Sequence, residues 1–287
     1  MRASKQEQLN FIYFALHKTG SRATRTELLE YCKYRKIRCL KYDECGNGTR
    51  TVNFNNAAFL RCSKQNYVFE PGNIQKCCPK LPHLPPEYCQ WDALVDHYSL
   101  SAAGRDEKLR FLRQNLPPSS FRFASFRHPH HQFVSWRNHH CSNKRWYRKN
   151  VWFCKESNWS KIIDRHLRES DKLSGRDSIS NAQARFLGFD GSNKSLEETV
   201  LPLIESLDFV ILSDRLKESW CALKRLLGWP KKFLRLDKAH EAPKYELDKE
   251  TAGKLRKLQW ADHEVYKKAK EVFRSKFAPL KAQCANV

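Results

Sequence analysis

The first residues that suggest chemistry form a turn close to the N-terminus, His17-Lys-Thr-Gly-Ser21. The apolar run Leu9–Leu16 precedes this turn, and helix-like spacing follows it. A Gly-containing turn between a strand and a helix start presents backbone N–H groups and the positive end of the helix dipole. Lys18 adds a mobile charge, and Thr19 and Ser21 add hydroxyl donors. The turn is not a Walker A loop, because its Lys precedes its Gly. It predicts a site for a phosphate-like anion, with a simple helix-capping turn as the alternative.

A second cation follows another predicted strand, in the segment Arg127-His-Pro-His-His-Gln-Phe-Val-Ser135. Here an arginine follows the apolar run Phe121–Phe126, a proline stands near a helix start, and Ser135 comes two turns later. A guanidinium suits bidentate contact with a phosphate, and a serine on the helix can reach the same anion. A plain surface turn is the alternative. Two strand–cation–helix units in one sheet indicate a nucleotide that carries phosphates at two positions.

The elements that must position these residues alternate along the chain. The predicted strands are Leu9–Leu16, Trp91–His97, Phe121–Phe126 and Asp208–Leu212. The predicted helices start near Thr24 and continue with Lys108–Leu116, His131–His140, Lys161–Leu167, Glu197–Leu207, Leu216–Leu227 and Thr251–Phe277. Strands that alternate with helices predict an α/β layered sheet. We expect residues 1–287 to form a single domain with loop-rich, variable segments over 39–86 and 141–177, the first holding one or two short strands.

Composition excludes several classes of protein. Apolar residues make up 40% of the chain, which is ordinary globular usage rather than that of a disordered chain. The apolar runs are too short to cross a bilayer, and the N-terminus lacks the apolar stretch of a signal peptide. The formal charge of +22 would attract polyanions, so a basic nucleic-acid-binding protein is one alternative. No zinc-finger, RRM, KH or basic-zipper pattern supports that alternative.

Cysteines and sequons point to the secretory pathway. Most of the 11 cysteines fall between Cys32 and Cys89, which is typical of proteins that form disulfides. Glycosylation sequons begin at Asn47, Asn158 and Asn193. Since no targeting segment is visible, we expect a complete transcript to encode a type II membrane anchor upstream.

The two anion motifs, taken together, resemble those of the galactose-3-O-sulfotransferase family, which includes galactosylceramide sulfotransferase. His17–Ser21 is similar to the family's THKTGSST-type 5′-phosphosulfate loop, and Arg127–Ser135 to its RDPxxxFxS-type 3′-phosphate motif. A strand that ends in a histidine lies between them, as in Asp92-Ala-Leu-Val-Asp-His97. Later blocks, Asp208–Trp229 and Trp260–Tyr266, resemble FDLVMxxExFDESLxLLxxLLCW and WNxxDxxLYxxFN. The blocks follow the family order over nearly the whole chain.

The resemblance implies a fold and an activity. The fold would be a three-layer sandwich around a central, mainly parallel sheet, the P-loop-like fold of sulfotransferases that use 3′-phosphoadenosine 5′-phosphosulfate (PAPS). The activity would be transfer of a sulfuryl group from PAPS to the 3-hydroxyl of a terminal galactose on a glycolipid or glycoprotein glycan. The full-length protein would lie in the Golgi membrane with its catalytic part in the lumen. No nucleic acid and no metal would be needed.

The resemblance also implies roles for individual residues. Lys18 would stabilise the leaving phosphate, while Arg127 and Ser135 would hold the 3′-phosphate. The 5′-phosphosulfate would be held by Lys18, Thr19, Gly20, Ser21 and Thr24. His17 and His97 are the two candidates for the catalytic base, since the ordinary histidine pKa lies close to luminal pH. We slightly favour His17, which is next to the loop; His97 ends the neighbouring strand and faces the acceptor in this interpretation.

Several positions depart from the family pattern. Arg22 and Ala23 stand where the family has Ser-Thr, although Thr24 would compensate if the loop shifts by one residue. His128 stands where the family has Asp, and Gly228 where it has Cys. These departures make a catalytically impaired sulfotransferase-like protein the second alternative.

Two further features carry less weight. The histidines near His128 and Cys141 fit no standard zinc spacing, so the sequence predicts no metal. The basic aromatic run Lys144-Arg-Trp-Tyr-Arg-Lys149 has the composition of a surface that stacks on nucleic acid or sugar. A solvated basic face is the commoner explanation for such a run.

Overall fold

The structure of the protein is a computed structural model that describes residues 11–16, 19, 21–35, 39–41, 50–52, 59–61, 93–96, 119–142, 151–169, 180–230 and 246–284. These residues form a mixed α/β fold with an open sheet of 7 strands. The strands are β1 (Phe11–Phe14), β2 (Cys39–Lys41), β3 (Arg50–Val52), β4 (Phe59–Arg61), β5 (Ala93–Asp96), β6 (Phe121–Phe126) and β7 (Phe209–Leu212).

The sheet is mainly parallel, and β1 lies near its centre. The strand order is β4-β3-β2-β5-β1-β6-β7. Strands β2, β5, β1, β6 and β7 run parallel, whereas β3 and β4 extend the β2 edge in antiparallel fashion. Phe14 pairs with Asp96 of β5 on one side and with Ala124 of β6 on the other. The predicted α/β class and strands are confirmed, with three short strands rather than one or two in the loop-rich segment over 39–86.

Burial explains why the short apolar runs become strands. Every side chain of β1 and β7 is buried, which accounts for the wholly apolar sequences of these two parallel strands. Phe11 packs against Phe123 of β6 with ring centroids 5.9 Å apart. The ring centroid of Phe209 lies 6.0 Å from that of Phe273, on the last long helix. These aromatic contacts join the sheet to its helices in the main core.

The helices connect and cover the strands. They are α1 (Ser21–Arg35), α2 (Pro129–Ser142), α3 (Val151–Lys155), α4 (Trp159–Glu169), α5 (Ala182–Phe186), α6 (Asn193–Ser195), α7 (Leu201–Glu205), α8 (Leu216–Leu226), α9 (Lys249–Leu258) and α10 (Trp260–Phe277). Helix α1 begins at Ser21, three residues before the predicted start. The predicted helix Lys108–Leu116 lies outside the described residues. No helix in the described ranges is both long enough and apolar enough to cross a membrane.

Two predicted helices are interrupted, and the first interruption has a local cause. The expected helix Glu197–Leu207 contains a π-helical turn, Leu196–Val200, immediately before α7. Pro202 has no N–H to donate to the preceding turn, so the hydrogen-bond pattern changes there. The expected helix Thr251–Phe277 is divided at Gln259 into α9 and α10.

The segment around α3 and α4 is more helical than the sequence predicted. The expected helix at Lys161–Leu167 is present within α4, but α3 was not expected. A disulfide between Cys141 and Cys154 links α2 to α3. A second apolar core joins this region to α2 and α9 through Phe133, Trp136, Phe153, Ile162, Ile163, Leu255 and Leu258. This core anchors α2, which follows the Arg127 turn.

Another disulfide, between Cys221 and Cys284, ties α8 to the C-terminal 3-10 turn Ala282–Cys284. Cys32 of α1 is disulfide-bonded as well. Among the described cysteines, five are therefore disulfide-bonded: Cys32, Cys141, Cys154, Cys221 and Cys284.

Candidate functional site

The described residues of the two predicted anion motifs lie at one edge of the sheet. Because β1, β6 and β7 are parallel, the residues that follow them lie at the same edge. Ser213, which follows β7, donates its hydroxyl to the carbonyl of Phe126 at 3.0 Å. The same hydroxyl also bonds to the carbonyl of Thr19, in the loop after β1. Ser213 therefore joins the loop after β1 to the residue that precedes Arg127.

The strand order places this meeting point where ligands bind in open α/β sheets. After β1 the chain passes through α1 to β2, on the β5 side of the sheet. After β6 it passes through its helices to β7, on the opposite side. Adjacent parallel strands whose connections run in opposite directions leave a crevice at their carboxyl ends, which is the usual position of a ligand. By this rule the expected crevice lies between β1 and β6, the two strands that precede the predicted motifs.

The structure describes only part of the predicted loop after β1. His17, Lys18 and Gly20 lie outside the described residues, and Ser21 is the first residue of α1. The buried hydroxyl of Thr19 donates to the carbonyl of Leu16 at 2.9 Å, which holds the loop against the end of β1. The cofactor contacts expected of these residues stay predictions.

Thr24 is buried inside α1 rather than at the surface of the loop. Its hydroxyl accepts a hydrogen bond from the indole N–H of Trp220 in α8 at 3.2 Å. Next to it, the Tyr13 hydroxyl of β1 lies 2.5 Å from the hydroxyl of Ser125 in β6. Burial raises the pKa of Tyr13 well above its ordinary value, so this phenol stays neutral. Together these groups form a polar layer beneath the edge where β1 and β6 end.

Arg127 is held by contacts to both its backbone and its side chain. Its backbone N–H donates to the Gln183 Oε1 at 3.0 Å, and the Gln183 Nε2 donates back to the Arg127 carbonyl at 2.9 Å. Burial lowers the pKa of the half-buried guanidinium, and the nearby Asp214 carboxylate opposes that shift. Asp214 in turn accepts a hydrogen bond from the Tyr266 hydroxyl at 2.6 Å. A half-buried guanidinium on a fixed backbone at a sheet edge is suited to bind an anion.

Histidines surround the residue that follows Arg127. The His128 ring centroid lies 5.4 Å from that of His131, 5.6 Å from that of His263 and 5.4 Å from that of Tyr266. Burial, followed by the charges of the neighbouring histidines, lowers the pKa of His128 to about 4. Burial also lowers the pKa values of His130 and His263. These imidazoles are therefore mainly neutral at neutral pH.

Within the described ranges, no group of histidine, cysteine, aspartate or glutamate side chains is arranged to hold a metal ion. The expectation that the protein uses no metal stays a prediction. The side-chain atoms His128 Nδ1 and His130 Nε2 are buried and have no hydrogen-bond partner in the described structure.

The remaining predicted residues are Ser135, on a described helix, and His97, which follows a described strand. Ser135 is half-buried on α2, the helix that begins directly after the Arg127-His128 turn. His97 lies outside the described residues, but it directly follows Asp96, the last residue of β5. Because β5 pairs in parallel with β1, its carboxyl end belongs to the same edge.

Sequence reasoning missed several residues of this site. Ser213 and Asp214 directly follow a predicted strand, which is a signal that the sequence contained. Tyr266 and His263 occur on a predicted helix, with no local signal that they face Arg127 and His128. Gln183 lies in the stretch between Asp177 and Glu197, for which the sequence predicted no element. Only the folded chain brings these residues to Arg127.

Comparison with protein-family models finds none that matches this chain. Comparison with curated proteins finds no significant match either.

Proposed function

We propose that this protein is a PAPS-dependent carbohydrate sulfotransferase that acts on the 3-hydroxyl of a terminal galactose. The observation that carries the proposal is the joining of the loop after β1 to the end of β6 through Ser213. Two sequence motifs, each suited to one phosphate, thereby border a single crevice. A nucleotide with separated phosphates, such as PAPS, would match this arrangement. The order of the sulfotransferase-like sequence blocks supports the same proposal.

The finer fold in this proposal is the three-layer, P-loop-like sandwich of PAPS-dependent sulfotransferases. Parallel strands are connected almost always by right-handed crossovers. The connections from β1 to β2 and from β6 to β7 run in opposite directions along the sheet. Right-handed crossovers in opposite directions put their helices on opposite faces, which supports a sheet enclosed between two helical layers.

The proposed reaction moves a sulfuryl group between two oxygens. The galactose hydroxyl oxygen forms a bond to sulfur, while the bond from sulfur to the 5′-phosphate oxygen breaks. The hydroxyl proton passes to a base, His17 or His97, and adenosine 3′,5′-bisphosphate is released. Lys18 would neutralise the charge that grows on the leaving oxygen, and backbone N–H groups near Thr19 and Ser21 would bind the 5′-phosphate.

Arg127 and Ser135 would hold the 3′-phosphate, remote from the transferred group. Arg127 is suited to this role because its backbone is held by Gln183 and its guanidinium is only half solvated. A partly desolvated, oriented cation binds a phosphate more strongly than a mobile surface cation. The contact would set the register of the nucleotide, so that its reactive end meets Lys18.

We also propose that the full-length protein works in the Golgi lumen. The disulfides Cys141–Cys154 and Cys221–Cys284 support an oxidising compartment. Membrane attachment would come from a type II anchor, and the acceptors would be galactose-terminated glycolipids or glycans.

Calorimetry with adenosine 3′,5′-bisphosphate tests cofactor binding, and turnover of labelled PAPS with β-galactosides tests the activity. We expect Arg127→Ala to weaken bisphosphate binding by roughly 10- to 100-fold, because one charged hydrogen-bond contact is lost. Arg122→Ala is the matched control, since Arg122 lies on β6, the strand that Arg127 follows, and its exposed side chain pairs with Asp208. Arg122→Ala should leave binding unchanged.

Three results would overturn parts of this proposal. Unchanged binding in a folded Arg127→Ala variant would remove the 3′-phosphate assignment. Binding without transfer to any galactoside would favour the catalytically impaired protein that Arg22 and Ala23 suggest. Absence of bisphosphate binding, together with salt-dependent binding of oligonucleotides, would favour the basic nucleic-acid-binding alternative.

A further inference from the structure

The backbone of Arg127 is held by a buried side chain that is distant in sequence. Arg127 comes directly after the last residue of β6, so its own N–H and carbonyl need partners beyond the strand. Both partners are supplied by the amide of Gln183, which accepts at 3.0 Å and donates at 2.9 Å. Gln183 is fully buried. A primary amide carries an acceptor and a donor side by side, so the pair of bonds forms a two-point clamp on the Arg127 backbone.

Gln183 is itself held by a buried carboxylate. Its backbone N–H donates to the Asp262 Oδ2 at 3.2 Å, and the N–H of Ala184 donates to the Asp262 Oδ1 at 2.7 Å. In return, the Asn181 Oδ1 accepts from the N–H groups of Ala261 at 2.9 Å and Asp262 at 3.3 Å. The first turns of α5 and α10 therefore cap each other, which sets the position of Gln183 relative to α10.

Burial of Asp262 costs more desolvation free energy than a purely structural cap requires. Its side chain is fully buried, and a buried carboxylate loses most of its hydration. Serine or asparagine would cap a helix at a lower desolvation cost. The carboxylate, in contrast, accepts two N–H groups at once and fixes the α5 turn in two directions.

The same helix also controls the side chain of Arg127. Tyr266 lies one turn after Asp262 on α10, and its hydroxyl holds Asp214 beside the Arg127 guanidinium. Helix α10 therefore acts on Arg127 by two routes. Asp262 reaches the backbone through Gln183, and Tyr266 reaches the charge through Asp214.

We propose that Gln183 and Asp262 are positioning residues, which hold the Arg127 backbone so that its guanidinium points into the crevice between β1 and β6. The inference rests on the proposed function in one respect, the assignment of Arg127 to the 3′-phosphate. Neither Gln183 nor Asp262 contacts the nucleotide in this proposal. Their effect passes through the two hydrogen bonds on Arg127.

Hydrogen exchange at the Arg127 amide tests the clamp without any cofactor. In Gln183→Met, a side chain of similar volume with no amide, exchange of this amide should become about tenfold faster, because its hydrogen bond is lost. Asp262→Asn should accelerate it by a smaller factor, since the asparagine amide can accept only one of the two N–H groups. Asp248→Asn is the matched control, because Asp248 caps α9 by accepting from the Thr251 N–H at 2.8 Å. Asp248→Asn should leave the exchange rate of the Arg127 amide unchanged.

The PAPS KM and kcat of the same variants, together with the bisphosphate affinity of the parent protein, test the functional consequence. Gln183→Met and Asp262→Asn should raise the PAPS KM by about 3- to 10-fold with kcat nearly constant, because binding at a remote phosphate is weakened uniformly. Unchanged amide exchange in both folded variants would overturn the positioning role, whatever the cofactor result. If exchange is faster in the variants but the parent protein binds no bisphosphate, the clamp is retained and the proposed function is rejected.

Discussion

The hydroxyl of Tyr266 donates to the carboxylate of Asp214 at 2.6 Å, across 52 residues of sequence. This bond joins α10 to the short turn after β7, at the edge where the β1 and β6 motifs meet. Burial and the bond to Asp214 raise the pKa of Tyr266 above its ordinary value, so the phenol stays a neutral donor. Asp214 is thereby held near Arg127 and His128, and its negative charge stabilises the positively charged forms of both side chains.

Replacement of Tyr266 by phenylalanine should weaken bisphosphate binding modestly, by about threefold. The ring would still pack against His128, but Asp214 would lose its neutral donor and pair more closely with Arg127, in competition with the phosphate. Calorimetry measures the effect. Tyr34→Phe on α1, where the side chain is 50% exposed, is the control that should change nothing. Equal affinities for both variants would show that Asp214 keeps its position without Tyr266.

Replacement of Ser213 by alanine should loosen the loop after β1 relative to β6. The carbonyls of Thr19 and Phe126 would lose a shared donor, at a cost of about 1 kcal/mol in the free energy of unfolding. Bisphosphate affinity should fall more than this stability loss suggests, because both phosphate motifs depend on the bond. Ser206→Ala removes a comparable hydroxyl, whose bond to the Leu203 carbonyl at 2.8 Å is local. That control should leave affinity intact.

Replacement of Lys18 by alanine should abolish most turnover without unfolding the protein. A cation beside the leaving oxygen binds the transition state better than the ground state, and loss of one such contact costs on the order of 10²–10³ in rate. Sulfuryl transfer from labelled PAPS is the measurement, with Lys217→Ala on α8 as an exposed control. Full activity in Lys18→Ala would mean that the loop is only a helix cap.

Replacement of each candidate base by alanine should separate His17 from His97. The variant that lacks the base should lose turnover by about 10²–10⁴-fold while its bisphosphate affinity stays near normal. The pH profile of kcat should also lose its acidic limb in that variant alone. If neither variant slows transfer, the hydroxyl proton leaves by another route, and both assignments fail.

Replacement of Asp262 by asparagine should change how stability depends on pH. Burial raises the pKa of Asp262 from 3.8 to about 7. Between these values the folded protein retains a proton that the unfolded chain has released, so the contribution of Asp262 to stability falls as pH rises toward 7. The slope is at most about 1.4 kcal/mol per pH unit. Above pH 7 this contribution is constant.

Titration of His128 changes stability in the opposite direction over part of the same pH range. Its pKa is lowered from 6.5 to about 4, so the unfolded chain binds the extra proton and stability rises with pH between these values. The two groups oppose each other in the parent protein. The Tm of Asp262→Asn should therefore rise more steeply than that of the parent between about pH 4.5 and 6.5. Parallel Tm profiles would show that Asp262 does not titrate in this range.

The sequence was sufficient where local pattern and physical constraint coincide. The runs FIYF and FVIL are wholly apolar and FRFASF is rich in phenylalanine; each is short and followed by a turn, a pattern typical of buried strands in a parallel sheet. The helix after Arg127 was predicted over His131–His140, and the structure begins it two residues earlier at Pro129, a residue that is favoured in the first turn of a helix. Arg127 was identified because a cation directly after such a strand must lie at the sheet edge.

Tertiary structure alone decided which side chains meet at that edge. Gln183, Ser213, Asp214, Asp262 and Tyr266 are separated from Arg127 by 56 residues or more. Their contacts depend on strand order and on the packing of α10 against β7, and no local residue pattern in the sequence predicts either. Thr24 illustrates the same limit, because its hydroxyl suits a phosphate loop but folding places it beneath the indole of Trp220. Local spacing determines elements and their ends, whereas the partner of each buried polar group is set by the whole chain.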